Sequence, residues 1–261
     1  MINKLSRSFS GKTKQERKEV FSDLLLSTVM HSDCTNAKLN GKSHFVFVSA
    51  SPDGKILYQS REKKGHEGIK GTPVETYYGI LIHDHDTTFY RYGSDHKECL
   101  AHILRYLKDS TINEPELKWN QQMRSLLQEM IHFRNGIPEN TIPDPVIVAE
   151  LEDRYRKILQ TADEEYSYEP PSDYYREEFN LCQRMNKLAT NHLLFLHNPM
   201  VPATNNLAER LLRNFKRKQK QAMSFRSAES IEHLCDCMSM LVMMRQNDEN
   251  NLFDQVAEIF G

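Results

Sequence analysis

One change in apolar spacing, near Cys99, constrains this chain more than any other feature: a strand-like period gives way to a helical one. Before it, from Val29 to about Arg91, apolar residues come in short compact runs. Phe45 to Ser49 and Ile56 to Gln59 are two of them, and the Pro52-Asp53-Gly54 turn between them predicts an antiparallel hairpin. Ile80 to Asp86 reads as a third strand that turns polar at His83-Asp84-His85-Asp86, a pattern that often marks a site. After the change, Leu100, Ile103, Leu104 and Leu107 make one helical stripe, and Leu117, Met123, Leu126, Leu127, Met130 and Ile131 belong to another. Helical patterns continue over Val146 to Leu159 and Tyr175 to Leu196, set apart by proline-bearing linkers at Asn135 to Pro145 and Tyr166 to Ser172. Asn198 to Asn206 closes this block. A C-terminal helical pair follows, broken near Ser224 and restarted at the cap candidate Ser227, and a basic, Ser-rich start with a short helical pattern around Glu19 to Leu26 precedes everything.

The 261 residues carry 39% apolar and 27% charged side chains, enough for one large domain or two small ones. That composition excludes collagen-like, disordered and disulfide-scaffold classes. The longest apolar runs, such as Leu24 to Leu26 and Phe45 to Val48, fall far short of the roughly 20 residues of a membrane-spanning helix, and the first thirty residues lack a secretory apolar run. A soluble cytoplasmic protein without membrane contact is the expectation. Five scattered cysteines, Cys34, Cys99, Cys182, Cys235 and Cys237, are no disulfide framework. Cys235 and Cys237 lie about 200° apart on a helix and belong with Leu234, Met238 and Val242 in a core. Cys99 and His102, even with His96, His83 or His85 nearby in sequence, form a lone Cys-x-x-His without the second ligand pair of a structural zinc site.

The formal net charge of −2 conceals a separation of sign. From Ala208 to Arg226 seven cations (Arg210, Arg213, Lys216, Arg217, Lys218, Lys220, Arg226) face the single acid Glu209, whereas Glu150 to Glu178 holds ten acids and four bases. A basic surface for phosphates inside a mildly acidic protein is compatible with this pattern, as is a solvated helix face. Three acids stand out: Asp33, at the end of a short strand-like segment; Asp84, at the end of the Ile80 strand; and Glu209, in the first turn of the basic helix. Each has an ordinary reading, the two Asp as turn residues and Glu209 as the last member of a capping box begun by Asn206. Two strand-borne carboxylates and a helix-borne one can also converge on two divalent cations about 4 Å apart, the arrangement used for in-line phosphoryl displacement. On a regular helix Glu209, Arg213, Lys216 and Lys220 share a face, so that an acid would lead a row of phosphate-binding cations. Asp86 is the substitute for Asp84, since alternate strand residues share a face.

Three blocks resemble a known family. His31-Ser32-Asp33-Cys34-Thr35 with Leu39-Asn40-Gly41-Lys42 and His44-Phe45 is similar to the first catalytic block of the insertion sequence 66 family of bacterial transposases. Gly79-Ile80-Leu81-Ile82-His83-Asp84-His85, followed by Cys99-Leu100-Ala101-His102 and Arg105, resembles the second. Pro202-Ala203-Thr204-Asn205-Asn206-Leu207-Ala208-Glu209-Arg210, with Lys216, Lys220 and Phe225-Arg226 behind it, resembles the third and is the most specific. The chain departs from the family pattern at Cys34, where Glu is usual, at Phe45, where Trp is frequent, and at Asp86-Thr87.

The resemblance implies an α/β fold: an RNase H-like core, a mixed sheet flanked by helices, with an all-helical insertion before the last catalytic residue. The corresponding division is 1–28 as a basic helical lead-in, 29–110 as the first part of the core, 111–200 as the insertion and 201–261 as its C-terminal helices. Asp33, Asp84 and Glu209 carry over as catalytic metal ligands for Mg2+, with Mn2+ as substitute, and Cys99 with His102 as a structural Cys-x-x-His element. Arg210, Arg213, Lys216, Lys220 and Arg226 are the expected DNA contacts, positioning the backbone more than reading sequence. Water would attack the phosphodiester at the element end, and the freed 3′-hydroxyl would then attack target DNA. Implied partners are double-stranded DNA, both transposon ends and target, and further copies of the chain on it, in a nucleoid-associated setting. The family's N-terminal helix-turn-helix and zinc modules have no counterpart here, so the chain reads as the catalytic portion alone. The rival reading is a non-catalytic remnant that binds DNA or a partner protein through its helical region.

Overall fold

The computed structural model describes residues 2–168, 176–222, 225–246 and 251–261. They form two compact units: Met1–His96 with Asn206–Gly261, and Lys97–Asn205. The first begins with two helices, α1 (Ile2–Lys12) and α2 (Lys14–Leu26), and then builds β1 (Val29–Leu39), β2 (Lys42–Ala50) and β3 (Ile56–Arg61). A short helix, α3 (His66–Ile69), precedes β4 (Ile80–His83), and β5 (Asp95–Glu98) carries the chain into the second unit. Strand order is β3-β2-β1-β4-β5, with β1 antiparallel to β2, β2 antiparallel to β3 and β1 parallel to β4. The β2–β3 hairpin follows the sequence reading. Its loop closes through the Gly54 N–H to the Ser51 carbonyl and the Ser51 N–H to the Lys55 carbonyl.

The β1–β2 hairpin goes beyond that reading. Asn40 (φ 48°) and Gly41 (φ 78°) make a two-residue turn with both central residues left-handed, the geometry that suits the twist of paired strands. β1 is therefore eleven residues long, and Asp33 lies within it, opposite Val48, rather than at a strand end. Among the other differences, α2 starts five residues before Glu19, and β4 ends at His83, which leaves Asp84 just past its last pairing residue.

The sheet is buried on both faces, which explains why β1 does not alternate in its first half: Val29, Met30, His31 and Ser32 are all buried. On one face Ala37, Val46, Val48, Ala50, Ile56 and Tyr58 join Ala208, Leu211, Leu212 and Phe215 of α9 (Asn206–Ala222) and Ile231, Cys235 and Met238 of α10 (Ala228–Met244). On the other, Met30, Phe47 and Leu81 meet Ile69, Val74, Tyr77 and Phe89. Helix α10 also satisfies the outer edge of β3, since Ser239 Oγ accepts the Tyr58 N–H at 2.9 Å. Ser227 caps α10 as expected, accepting the Ser230 N–H, whereas the expected break at Ser224 lies outside the described residues. The last helix is α11 (Leu252–Phe260).

The second unit is helical after its first residues: α4 (Leu100–Asn113), α5 (Trp119–Asn135), α6 (Pro145–Tyr168), α7 (Glu177–Lys187) and α8 (Ala189–His197). The predicted apolar stripes are its core, with Leu100, Ile103, Leu107, Met123, Leu126, Leu127 and Met130 buried. The linker at Asn135 to Pro145 joins α5 to α6, with Pro145 in the first helical position, where a missing N–H costs nothing. Residues 169–175, most of the second proline-bearing linker, lie outside the described residues. The single helical pattern read over Tyr175 to Leu196 is two helices, since Leu188 (φ −110°, ψ 23°) ends α7 and begins α8. No helix among the described residues is long and apolar enough to cross a membrane.

Candidate active site

The parallel pairing of β1 with β4 aligns Val29 with Ile80, Met30 with Leu81 and His31 with Ile82. Continued by two residues, this register sets Asp33 opposite Asp84. Side chains alternate along a strand, so Asp33 shares the face of Ala37, which packs on α9, while Cys34 shares the face of Met30. Helix α9 runs beside β1. Lys216 Nζ donates to the Asn36 carbonyl, and seven helical residues back from Lys216, about 10 Å, lies Glu209, while three strand residues back from Asn36, also about 10 Å, lies Asp33.

The three carboxylates also act on one another electrostatically. Burial raises the Asp33 carboxyl to about 7, with the negative charges of Asp84 and Glu209 adding to the rise, while the Cys34 N–H, donated to Asp33 Oδ1 at 2.7 Å, and, less strongly, the charge of Lys64 oppose it. The structure thus brings together three acids separated widely in sequence, and they form a partly buried anionic cluster with incomplete compensation. Asp84 Oδ1 accepts the Asp86 N–H at 3.0 Å. Asp86 itself is turned to other partners, Lys64 Nζ at 2.9 Å and the Thr88 N–H at 3.0 Å. Burial works against its ionisation, but the Thr88 and Lys64 hydrogen bonds win and hold its carboxyl below the usual range. Of the neighbouring carboxylates, Asp84 raises the Asp33 carboxyl most, while Asp86 is engaged by Lys64 and Thr88. Glu209 pairs with Arg213 at 2.7 Å, the ordinary i,i+4 ion pair, with the acid largely buried and Arg213 largely exposed.

A match to the family model described as Transposase IS66 family covers residues 2–233, most of the chain. The chain belongs to the IS66 transposase family. Membership makes it a transposase, a protein of mobile DNA that works on DNA. No curated protein matches the chain.

The remaining predicted residues of this IS66 transposase are placed less uniformly. Cys99 is buried and precedes α4; its Sγ accepts the Asn205 N–H at 3.1 Å, and the Leu100 N–H meets the Ala203 carbonyl at 3.1 Å. Cys99 thus ties the two ends of the helical unit together. His102 stands in the first turn of α4, its N–H on the Cys99 carbonyl at 3.2 Å. On α9, Arg210, Arg213, Lys216 and Lys220 are all exposed. Their row is not uniform, because the Lys216 ammonium is committed to the Asn36 carbonyl and to Gln219 Oε1. Arg226 lies elsewhere: its neighbour Phe225 bridges to Leu39 and its carbonyl accepts from Asn40 Nδ2 at 3.0 Å, placing it beside the β1–β2 turn, roughly 20 Å along the strand from Asp33.

Two features at the site escaped the sequence reading. Lys64 was one of two adjacent lysines in a loop, with nothing to separate it from Lys63. The other is a histidine pair: buried His83 places Nδ1 on the Asp84 carbonyl and Nε2 at 3.2 Å from His96 Nδ1. The carbonyl can only accept, so His83 Nδ1 carries the proton and the His96 Nδ1–H donates to His83 Nε2. The histidines in His83-Asp84-His85 were visible, but their hydrogen-bonding direction is tertiary information.

Proposed function

We propose that this transposase cleaves DNA at element ends and transfers the freed strand by an Asp-Asp-Glu, two-metal mechanism on an RNase H-like core, with Asp33, Asp84 and Glu209 as ligands and Lys97–Asn205 as a helical insertion. The observation that carries the reading is the action of both Asp84 and Glu209 on the partly buried Asp33 carboxyl. The order β3-β2-β1-β4-β5, with a β1–β2–β3 meander and β4 parallel to β1, supports the core assignment. The donor set suits hard divalent cations, which take carboxylate oxygens, and such cations would relieve an Asp33 carboxyl that burial, and then the charges of Asp84 and Glu209, raise to about 7.

Asp33, Asp84 and Glu209 would hold magnesium or manganese, which would supply charge stabilisation for the attacking and departing oxygens. The chain's own contribution is rigid placement. Asp33 is fixed by the β1 ladder and by the Cys34 N–H and Asp84 by the β4 register and the Asp86 N–H, while the packed face of α9 sets the backbone of Glu209, whose side chain must leave Arg213 to join them. Arg213 keeps Glu209 turned along the helix and offers its remaining guanidinium donors outward for phosphates. Lys220 and Arg210 extend that face.

The reading is tested on duplex carrying an element end, with Mg2+ or Mn2+. Asp84→Asn and Glu209→Gln are each expected to remove cleavage while retaining duplex binding. Full cleavage by either variant would remove that residue from the mechanism, and a wild-type chain that binds DNA without cleaving would favour the non-catalytic remnant.

The structure also sharpens what the basic face should do. Each lost phosphate contact lowers the slope of log affinity against log salt by roughly 0.9. Lys220→Ala is expected to lower it by about that amount with stability unchanged within about 0.5 kcal/mol. Lys216→Ala should instead cost roughly 1 kcal/mol of stability through its lost bond to Asn36, with a smaller change in slope. Equal behaviour of the two variants would show that the Asn36 contact carries no weight.

A further inference from the structure

The loop after β3 brings a lysine to the flank of the acidic cluster. Lys64 Nζ lies 2.9 Å from Asp86 Oδ2 and acts on Asp33, Cys34 and Asp84 as well. The approach is built into the loop. Gly65, directly after it, has φ 72° and ψ −156°, a conformation open essentially to glycine alone. Gly68 has no room for a side chain, since a Cβ there would come within 2.3 Å of the Lys63 carbonyl and 2.7 Å of the Phe47 ring. Helix α3 is thereby pressed onto β2, with Lys63 turned outward to Glu67 and Lys64 toward the carboxylates. Asp86, only 16% exposed, is held by the Thr88 N–H and in turn gives its own N–H to Asp84, so that the lysine is linked to a site acid through one residue. Yet the Lys64 side chain is half exposed, and an ammonium with three donors spends one on Asp86.

We propose that Lys64 is a substrate-contact residue: its ammonium stands beside the carboxylate cluster as a counter-cation in the metal-free protein and binds a DNA backbone phosphate when the strand is seated there. This rests on the two-metal reading and adds to it a cation from the β3–α3 loop, on the opposite side of β1 from the α9 row. Two consequences separate this role from a structural one. A fixed positive charge beside the cluster opposes metal, so Lys64→Gln should tighten Mn2+ binding in the absence of DNA by roughly three- to tenfold, the size expected for a half-exposed unit charge some 8 Å from a divalent cation at nearly water-like screening. The same variant should lose one phosphate contact, lowering the salt slope of duplex binding by roughly 0.9 and slowing cleavage at saturating metal. Lys64→Arg should keep both properties near wild type.

The test is calorimetric titration with Mn2+ alone, followed by duplex affinity across a salt series in metal-free buffer, on wild type, Lys64→Gln and Lys64→Arg. Tighter Mn2+ binding with a shallower salt slope in Lys64→Gln, both restored in Lys64→Arg, is the expected result. Unchanged or weaker Mn2+ binding, or an unchanged slope, in a folded Lys64→Gln overturns the proposal while leaving the two-metal reading standing. A wild-type chain whose Mn2+ binding is indifferent to Asp33→Asn overturns both.

Discussion

Replacing Asp33 by Asn is expected to make the metal-free protein more stable and the enzyme inactive. The Asn oxygen can keep the Cys34 N–H, so the β1 backbone loses nothing, while the charge repelled by burial, Asp84 and Glu209 is gone. Because the folded protein holds the Asp33 proton up to about pH 7 and the unfolded chain releases it near the ordinary value, Asp33 favours folding most below pH 4. That contribution is lost as pH rises from about 4 to 7. Above pH 7 the variant should therefore gain roughly 1–2 kcal/mol, discounted for partial solvent screening, and its midpoint should lose the corresponding slope with pH. Cleavage with Mg2+ or Mn2+ should fall by about 10^3-fold or more, since several kcal/mol of charge stabilisation disappear. Thermal melts from pH 4 to 8, paired with cleavage assays, read both effects. A destabilised but active variant would make Asp33 an ordinary structural residue.

An equally large effect is expected in the helical unit, at Glu98. Its carboxylate is fully buried, 3.3 Å from His192 Nε2 and 3.5 Å from an Arg184 nitrogen. The Tyr155 hydroxyl donates its one proton to the Met185 carbonyl and so receives the His192 Nδ1–H, which leaves a proton to be shared between His192 Nε2 and Glu98. Beside them, burial pushes the Lys97 ammonium down to about 7. Glu98→Ala strands Arg184 and His192 in this interior and should cost about 3–5 kcal/mol, whereas Glu98→Gln, whose amide can still donate to His192, should cost clearly less. The single tryptophan, Trp119, is buried in α5, so denaturation followed by tryptophan fluorescence reports on this unit. Equal losses for Ala and Gln would mean that the hydrogen bond to His192 contributes nothing.

Local rules carried the sequence reading where the signal was local. The Pro52-Asp53-Gly54 hairpin, the stripes of α4 and α5 and the Ser227 cap each follow from spacing and turn chemistry. Asn40-Gly41 carries an equally strong hairpin signal, and it is this turn that lengthens β1 and moves Asp33 from a strand end into the strand. The division of Tyr175 to Leu196 was hidden because Leu188 fits a helical stripe and breaks the helix only through its backbone. The grouping of Asp33, Asp84 and Glu209 is a matter of strand register and of the course of α9, which chain order and resemblance could suggest but not place. Spacing could not reveal that Lys216 is spent on a strand carbonyl, that Lys64 rather than Lys63 faces the acids, or that Arg226 belongs to the far end of β1.

The central claim, that Asp33, Asp84 and Glu209 hold divalent cations, is tested most directly by locating the metal. Crystals of the protein soaked in Mn2+ should show anomalous density between the Asp33 and Asp84 carboxylates, with Glu209 turned from Arg213 toward it, and Asp33→Asn crystals treated alike should lack it. Mn2+ bound elsewhere, or Glu209 still paired with Arg213 and no density between the two Asp, would contradict the account.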